Sequence, residues 1–378
     1  MDRLEIAIVT ETYPPEVNGV ANTMLYLAEG LAERGHRIQL VRPRQESDHA
    51  MSPVGAIQPY LVPGLPIPGY RGLRFGLPVY WRLRRHWFRN RPHLVYIATQ
   101  GPLGHAALSA ARALDIPTVT GFHTQFHQYS QHYGLGILIH QIAKTLRHFH
   151  NRSNATLVPT AELKAELTQC GFQNVHVFGR GVDVRRFSPA WRDPELRRAW
   201  GCDDNTLVAI YVGRMAAEKN LDLARQSFQA ISNQHLNSRF VLVGDGPELA
   251  FLRRDVPDFI CTGAKVGNEL AAHYASGDLF LFPSLTETFG NVVIEAMASG
   301  LPVIAFDYAA AHAHIDSWRN GVTVPVGDSA AFIAASRDAV LNRVRLRQIG
   351  AAARQSAEGM SWSRVLGRVE ERFFSLMS

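Results

Sequence analysis

The residues best suited to chemistry are two carboxylates and two cations in the second half of the chain. Glu287 and Glu295 stand eight apart in Leu281 to Pro302, LFPSLTETFGNVVIEAMASGLP, and Arg214 and Lys219 stand five apart in GRMAAEKN. A carboxylate accepts hydrogen bonds from paired sugar hydroxyls, while Arg and Lys hold phosphate oxygens. Acids beside an anion site make sense only when the ligand carries hydroxyls as well as phosphate, and a nucleotide-sugar does. The plain alternative is a turn acid, a solvated helix acid and two surface cations.

The surrounding pattern must place these groups. Asp278 to Phe282 is a short apolar run of the buried-strand kind, Pro283 to Thr288 is a polar turn, and Phe289 to Ala298 carries Val292, Val293, Ala296 and Met297 at helical spacing. Gly300 and Pro302 stop that helix. A strand running into a helix turns unpaired N–H groups and a positive dipole end toward the strand's carboxyl edge, where anions bind in open α/β sheets. Thr206 to Val212 likewise reads as a strand, and the turn after it lets Arg214 and Lys219 converge on one diphosphate. Near the start, the strand Glu5 to Glu11 leads into TYPPEVNGVANT instead of G-x-G-x-x-G, and Asn18-Gly19 gives a place for close backbone approach. The strand Pro117 to Gly121 delivers FHTQFHQYSQHYG. His123 and His127 in it are four apart, but no HExxH pattern or further ligand set makes a zinc site.

E-x7-E within PSLTETFGNVVIEAMASGLPV, together with G-R-x(3)-E-K-N, resembles the donor-binding signature of the retaining glycosyltransferases of family 4. The longer run is similar to the subgroup that glycosylates lipids, including sulfolipid synthases and GDP-mannose-dependent α-mannosyltransferases. The resemblance implies the α/β GT-B fold, two Rossmann-like lobes with parallel sheets facing across a cleft. It implies transfer of a mannose- or glucose-type hexose from a GDP- or UDP-hexose to a lipid or glycolipid hydroxyl, with retention of configuration and with neither cofactor nor metal. Arg214 and Lys219 would hold the diphosphate, Glu287 the sugar hydroxyls and Glu295 the ribose. Gly19, Phe289, Gly290, Asn291 and Val292 would complete the donor site, and His123 would lie beside the transferred sugar. One departure bears on donor preference: after Asp307, where many relatives have a glycine pair, this chain has Tyr308-Ala309-Ala310-Ala311 followed by His312 and His314.

Length and charge bound the rest. With 378 residues, 46% hydrophobic and 19% charged, the chain suits two ordinary globular domains. The expected division is an acceptor-side domain over residues 1–178, joined by a terminal helix over 361–378, a linker over 179–190, and a nucleotide-sugar domain over 191–360. No apolar run approaches the roughly 20 residues of a membrane span, and MDRLEIAIVTET lacks signal-peptide order, so the expected place is the cytoplasm. Three dispersed cysteines suggest neither disulfides nor a metal motif.

Residues 49–161 hold eleven Lys or Arg against the single acid Asp115, a charge of +10, which leaves −4 of the net +6 for the remainder. Most of this lies in Pro63 to Arg91, where seven Arg alternate with Tyr70, Phe75, Tyr80, Trp81, Trp87 and Phe88. Such a stretch suits either an anionic membrane surface, on the inner face of the cell membrane, or a helix with one core face and one solvated face. No nucleic-acid motif accompanies it. The readings to separate are therefore a lipid-directed transferase, a transferase acting on a soluble or polysaccharide acceptor, a UDP-sugar epimerase of the same fold, and a non-catalytic membrane-surface protein.

Overall fold

Runs of three to seven residues set the strands, and the uninterrupted apolar, buried character of the central ones is that of parallel sheets covered on both faces. In the computed structural model, which describes residues 3–16, 18–45, 48, 55–66, 74–123, 136–256 and 258–377, the chain divides into two units, Met1–Arg180 with Trp362–Ser378 and Gly181–Ser361. His127, Tyr70 and Arg71 lie outside the described residues.

The first unit contains β1 (Glu5–Val9), β2 (Arg37–Pro43), β3 (Ile57–Val62), β4 (Gly64–Pro66), β5 (Arg74–Gly76), β6 (Leu94–Ile97), β7 (Thr118–Gly121), β8 (Ala155–Val158) and β9 (Val175–Val177). Seven of them form a parallel sheet in the order β3-β2-β1-β6-β7-β8-β9, while β4 and β5 pair antiparallel. The helix Trp362–Ser375 belongs here although it comes last in sequence. Leu366, Val369 and Phe373 recur at helical spacing and are buried. Between them Glu370 takes Arg34 at 2.7 Å and His36 at 2.9 Å. Each buried apolar side chain contributes about 1.5–3 kcal/mol, so this helix is part of the first unit's core.

The second unit contains β10 (Leu207–Val212), β11 (Ser238–Val243), β12 (Ile260–Gly263), β13 (Leu279–Phe282), β14 (Val303–Phe306) and β15 (Val322–Val324). They form one parallel sheet in the order β12-β11-β10-β13-β14-β15. Of the stretch expected as a linker, Val182 and Phe187 are buried in this unit's core. Both sheets are the open α/β kind that reverses direction beside its first strand, between β1 and β6 in one and between β10 and β13 in the other. Ligands of such sheets bind outside the carboxyl ends of the strands at that reversal. Among the described residues no helix is long and apolar enough to cross a membrane.

Candidate active site

The reversal in the second unit gathers the cations and one of the acids. β10 ends at Val212 and is followed by Gly213 and Arg214; β13 ends at Phe282 and is followed by the loop that carries Glu287. Lys219 Nζ lies 2.5 Å from Glu287 Oε1 and donates to the Thr286 carbonyl at 3.2 Å. Ser284 Oγ donates to the same Glu287 oxygen at 2.9 Å. An ammonium has three donors, and these two bonds leave one for a ligand; both bonds to Glu287 fall on Oε1, leaving Oε2 as an acceptor. The pair is mostly buried, with 15% and 16% of the side chains exposed, so a ligand that reaches it meets charge in a partly dry setting. Arg214 is different: its side chain is 55% exposed and its contact is Glu218 at 3.7 Å.

The loop closes onto a helix tip. Gly290, at φ +89°, turns the chain through the left-handed region that glycine adopts most readily, and the helix Asn291–Ala298 starts there, two residues later than its apolar spacing suggests. Its first N–H groups are thus released beside the Glu287 loop. Asn291 and Val292 are half-buried at this tip, whereas Phe289 is buried and lines a narrow crevice with Glu287, Phe306 and Tyr308. Tyr308 Oη donates to the Ser284 carbonyl at 2.9 Å. Ala309 sits at φ +52°, and the N–H of Ala310 donates to the Phe289 carbonyl at 2.8 Å.

Glu295 is held on the second turn of this helix by Tyr274, whose hydroxyl donates to Oε2 at 3.0 Å. Burial pushes its carboxyl up to about 7, against the lowering effects of the Tyr274 bond and of Arg186. It is a poised acid, unlike a solvated one.

In the first unit, Gly19 opens the helix Gly19–Glu33, with Asn18 Oδ1 accepting from the N–H groups of Val20 and Ala21 at 3.1 and 2.8 Å. His123 follows β7. Arg180 Nη2 lies 2.8 Å from its Nδ1, and Tyr96 Oη 3.2 Å from its Nε2. Burial, then the Arg180 charge and His150, hold the imidazole well below its ordinary range, so it is neutral. Ser284, Tyr308, Tyr274, Tyr96 and Arg180 were not singled out as site residues from sequence. Ser284 sits inside the diagnostic string, so its nearness to Glu287 was a usable signal; Arg180 meets a partner 57 residues away, which no local pattern reports.

Two parallel sheets, each reversing beside its first strand, make the GT-B fold that glycosyltransferases share. Solved structures agree on the fold: sucrose-phosphate synthase from Thermosynechococcus elongatus superposes with a TM-score of 0.80 at 16% identity over 99% of both chains. The chain belongs to glycosyltransferase family 4. The model described as Glycosyltransferase Family 4 matches residues 17–186, and that described as Glycosyl transferases group 1 matches residues 206–342. A GDP-mannose-dependent alpha-mannosyltransferase of Mycobacterium tuberculosis is 37% identical over 95% of this chain and 93% of its own. An alpha-monoglucosyldiacylglycerol synthase of Acholeplasma laidlawii is 28% identical over 84% of each.

Proposed function

We propose that the protein transfers a mannose- or glucose-type hexose from a nucleoside-diphosphate donor to a hydroxyl of a lipid or glycolipid, with retention of configuration. The observation that carries this reading is the Lys219–Glu287 pair at 2.5 Å, set at the sheet reversal beside the helix tip at Asn291. Departure of the nucleoside diphosphate develops negative charge, and preorganised donors aimed at it lower the barrier. The remaining N–H of Lys219, the Arg214 guanidinium and the first N–H groups of the helix supply such donors. Glu287 Oε2 accepts from hydroxyls of the transferred sugar, Glu295 from the ribose, and His123 fixes the sugar. These groups meet the leaving charge without a metal, so activity is expected to survive chelation by EDTA.

A second feature supports a lipid acceptor. On the helix Tyr80–Arg89, Leu83 and Trp87 are buried, while Trp81 and Phe88, one heptad apart, are 73% and 79% exposed among Arg82, Arg84 and Arg85. Exposed aromatic rings among cations suit an anionic lipid surface, and the lipid named for the Acholeplasma relative points the same way.

The test is incubation with GDP-mannose, UDP-glucose and other nucleotide-hexoses, with diacylglycerol in phosphatidylglycerol or phosphatidylcholine vesicles, monitoring nucleoside diphosphate and new glycolipid. Glycolipid that forms faster on the anionic vesicles, and a loss of that preference in W81S/F88S, are expected. Release of free epimerised nucleotide-sugar would overturn transfer, and product on a soluble glycan alone would overturn the lipid acceptor.

A further inference from the structure

Arg180 is 5% exposed, ends the first of the two stretches that make up the first unit, and reaches His123 with one arm of its guanidinium at 2.8 Å. A guanidinium only donates, so His123 Nδ1 must be the acceptor. In the neutral ring the proton then sits on Nε2, directed at Tyr96 Oη 3.2 Å away. Adding a second proton would set N–H against N–H and bring a second positive charge into an enclosed place. Groups that face the ring include Arg180 after β9, Tyr96 on β6 and His150 on the helix Gly136–Asn151. Room for the contact depends on Gly121, because a Cβ there would come within 2.3 Å of Tyr96 Oη and 2.5 Å of His123 Nε2. The other arm, Nη1, is buried with no hydrogen-bond partner among the described residues. A buried cation left half satisfied contributes little to stability, and its ordered bond is to one imidazole.

We propose that Arg180 is a positioning residue for His123: it locks the ring as the neutral tautomer with its proton on Nε2 and directed at Tyr96 Oη, which fixes how the ring stands beside the transferred sugar. The proposal rests on the place given to His123 in the proposed function. Arg180 itself touches no reacting atom.

The test is nitrogen-15 NMR of histidine-labelled full-length protein between pH 5.5 and 8, with nucleoside diphosphate release measured on the nucleotide-hexose that the enzyme turns over. In the wild type the His123 signals should stay those of an unprotonated Nδ1 and a protonated Nε2 across the range. In R180M the two neutral tautomers should become mixed and the ring's titration should move up from its wild-type position, with burial still holding it below its ordinary range, so kcat/KM should fall relative to wild type by about twofold at pH 8, the share of rings left on the other tautomer, and further toward pH 5.5. R180K, which keeps the charge, should restore most of the loss. A wild-type His123 that carries its proton on Nδ1, or that titrates between pH 6 and 7, overturns the proposal even if R180M fails to fold. Identical pH profiles for wild type and folded R180M overturn it as well. Undiminished turnover by H123A would instead overturn the placing of His123 at the sugar, whatever the spectra show.

Discussion

At the scale of single residues, the Lys219–Glu287 pair makes each partner depend on the other. Removing one charge leaves its mate partly buried and uncompensated, which is costlier than removing both. K219M is therefore expected to lower stability by about 1–2 kcal/mol, discounted for the pair's partial exposure, and K219M/E287Q to regain part of that in a thermal melt. Turnover should fall in both by about 100-fold or more; a double variant less stable than K219M would contradict the coupling. Glu295 gives a pH signature. Its folded-state value of about 7 lies above the ordinary carboxyl value, so the native state holds this proton more tightly than the unfolded chain. Stability from this group is full at low pH and is lost as pH rises toward and through 7. Glu11, whose carboxyl burial also pushes to about 7, adds a slope of the same sign. Glu370 acts oppositely: burial raises its carboxyl, the bonds from Arg34 and His36 outweigh that, and its contribution is lost as pH falls. E295Q should flatten the decline in melting temperature between pH 5 and 8 without changing the acid limb.

At the scale of elements, the strands and the helix at Asn291 were legible because buried parallel strands read as apolar runs and the helix carries a regular apolar stripe. The positions of Glu287, Lys219 and Arg214 after their strands were legible too, since they follow those runs directly. The Lys219–Glu287 bond was not, because loops bring together residues 68 apart for reasons that no local spacing encodes. On the basic aromatic helix Leu83 and Trp87 face the core, as the reading with one core face expects, whereas Trp81 and Phe88 are exposed. The loop after β14 carries an alanine in a conformation that glycine adopts most readily. Ala309 occupies the left-handed region at φ +52°, where a Cβ costs roughly 1–2 kcal/mol. A309G should thus stabilise the protein by about 0.5–1 kcal/mol, after the entropy that glycine adds to the unfolded chain is deducted. A lower melting temperature in A309G would show that the position tolerates its alanine without strain.

At the scale of the whole molecule, the terminal helix ties sequence order to stability in an unusual way. Ending the chain at Ser361 removes Leu366, Val369 and Phe373 from the first unit's core and deprives Arg34 and His36 of Glu370. The expected loss is about 4–8 kcal/mol by burial alone, comparable to the whole margin of a domain. Hydrogen exchange should then show protection falling across residues 3–180 and persisting across 181–361. Uniform loss over both units would contradict their separate cores. The same helix has a consequence for biosynthesis. A ribosome releases the residues up to Arg180 before Gly181 to Ser361, yet that portion lacks a wall of its interior until Trp362–Ser375 emerges, whereas Gly181 to Ser361 can mature earlier. The half begun first is completed after the other, and its unfinished apolar face is what a chaperone would meet in the interval.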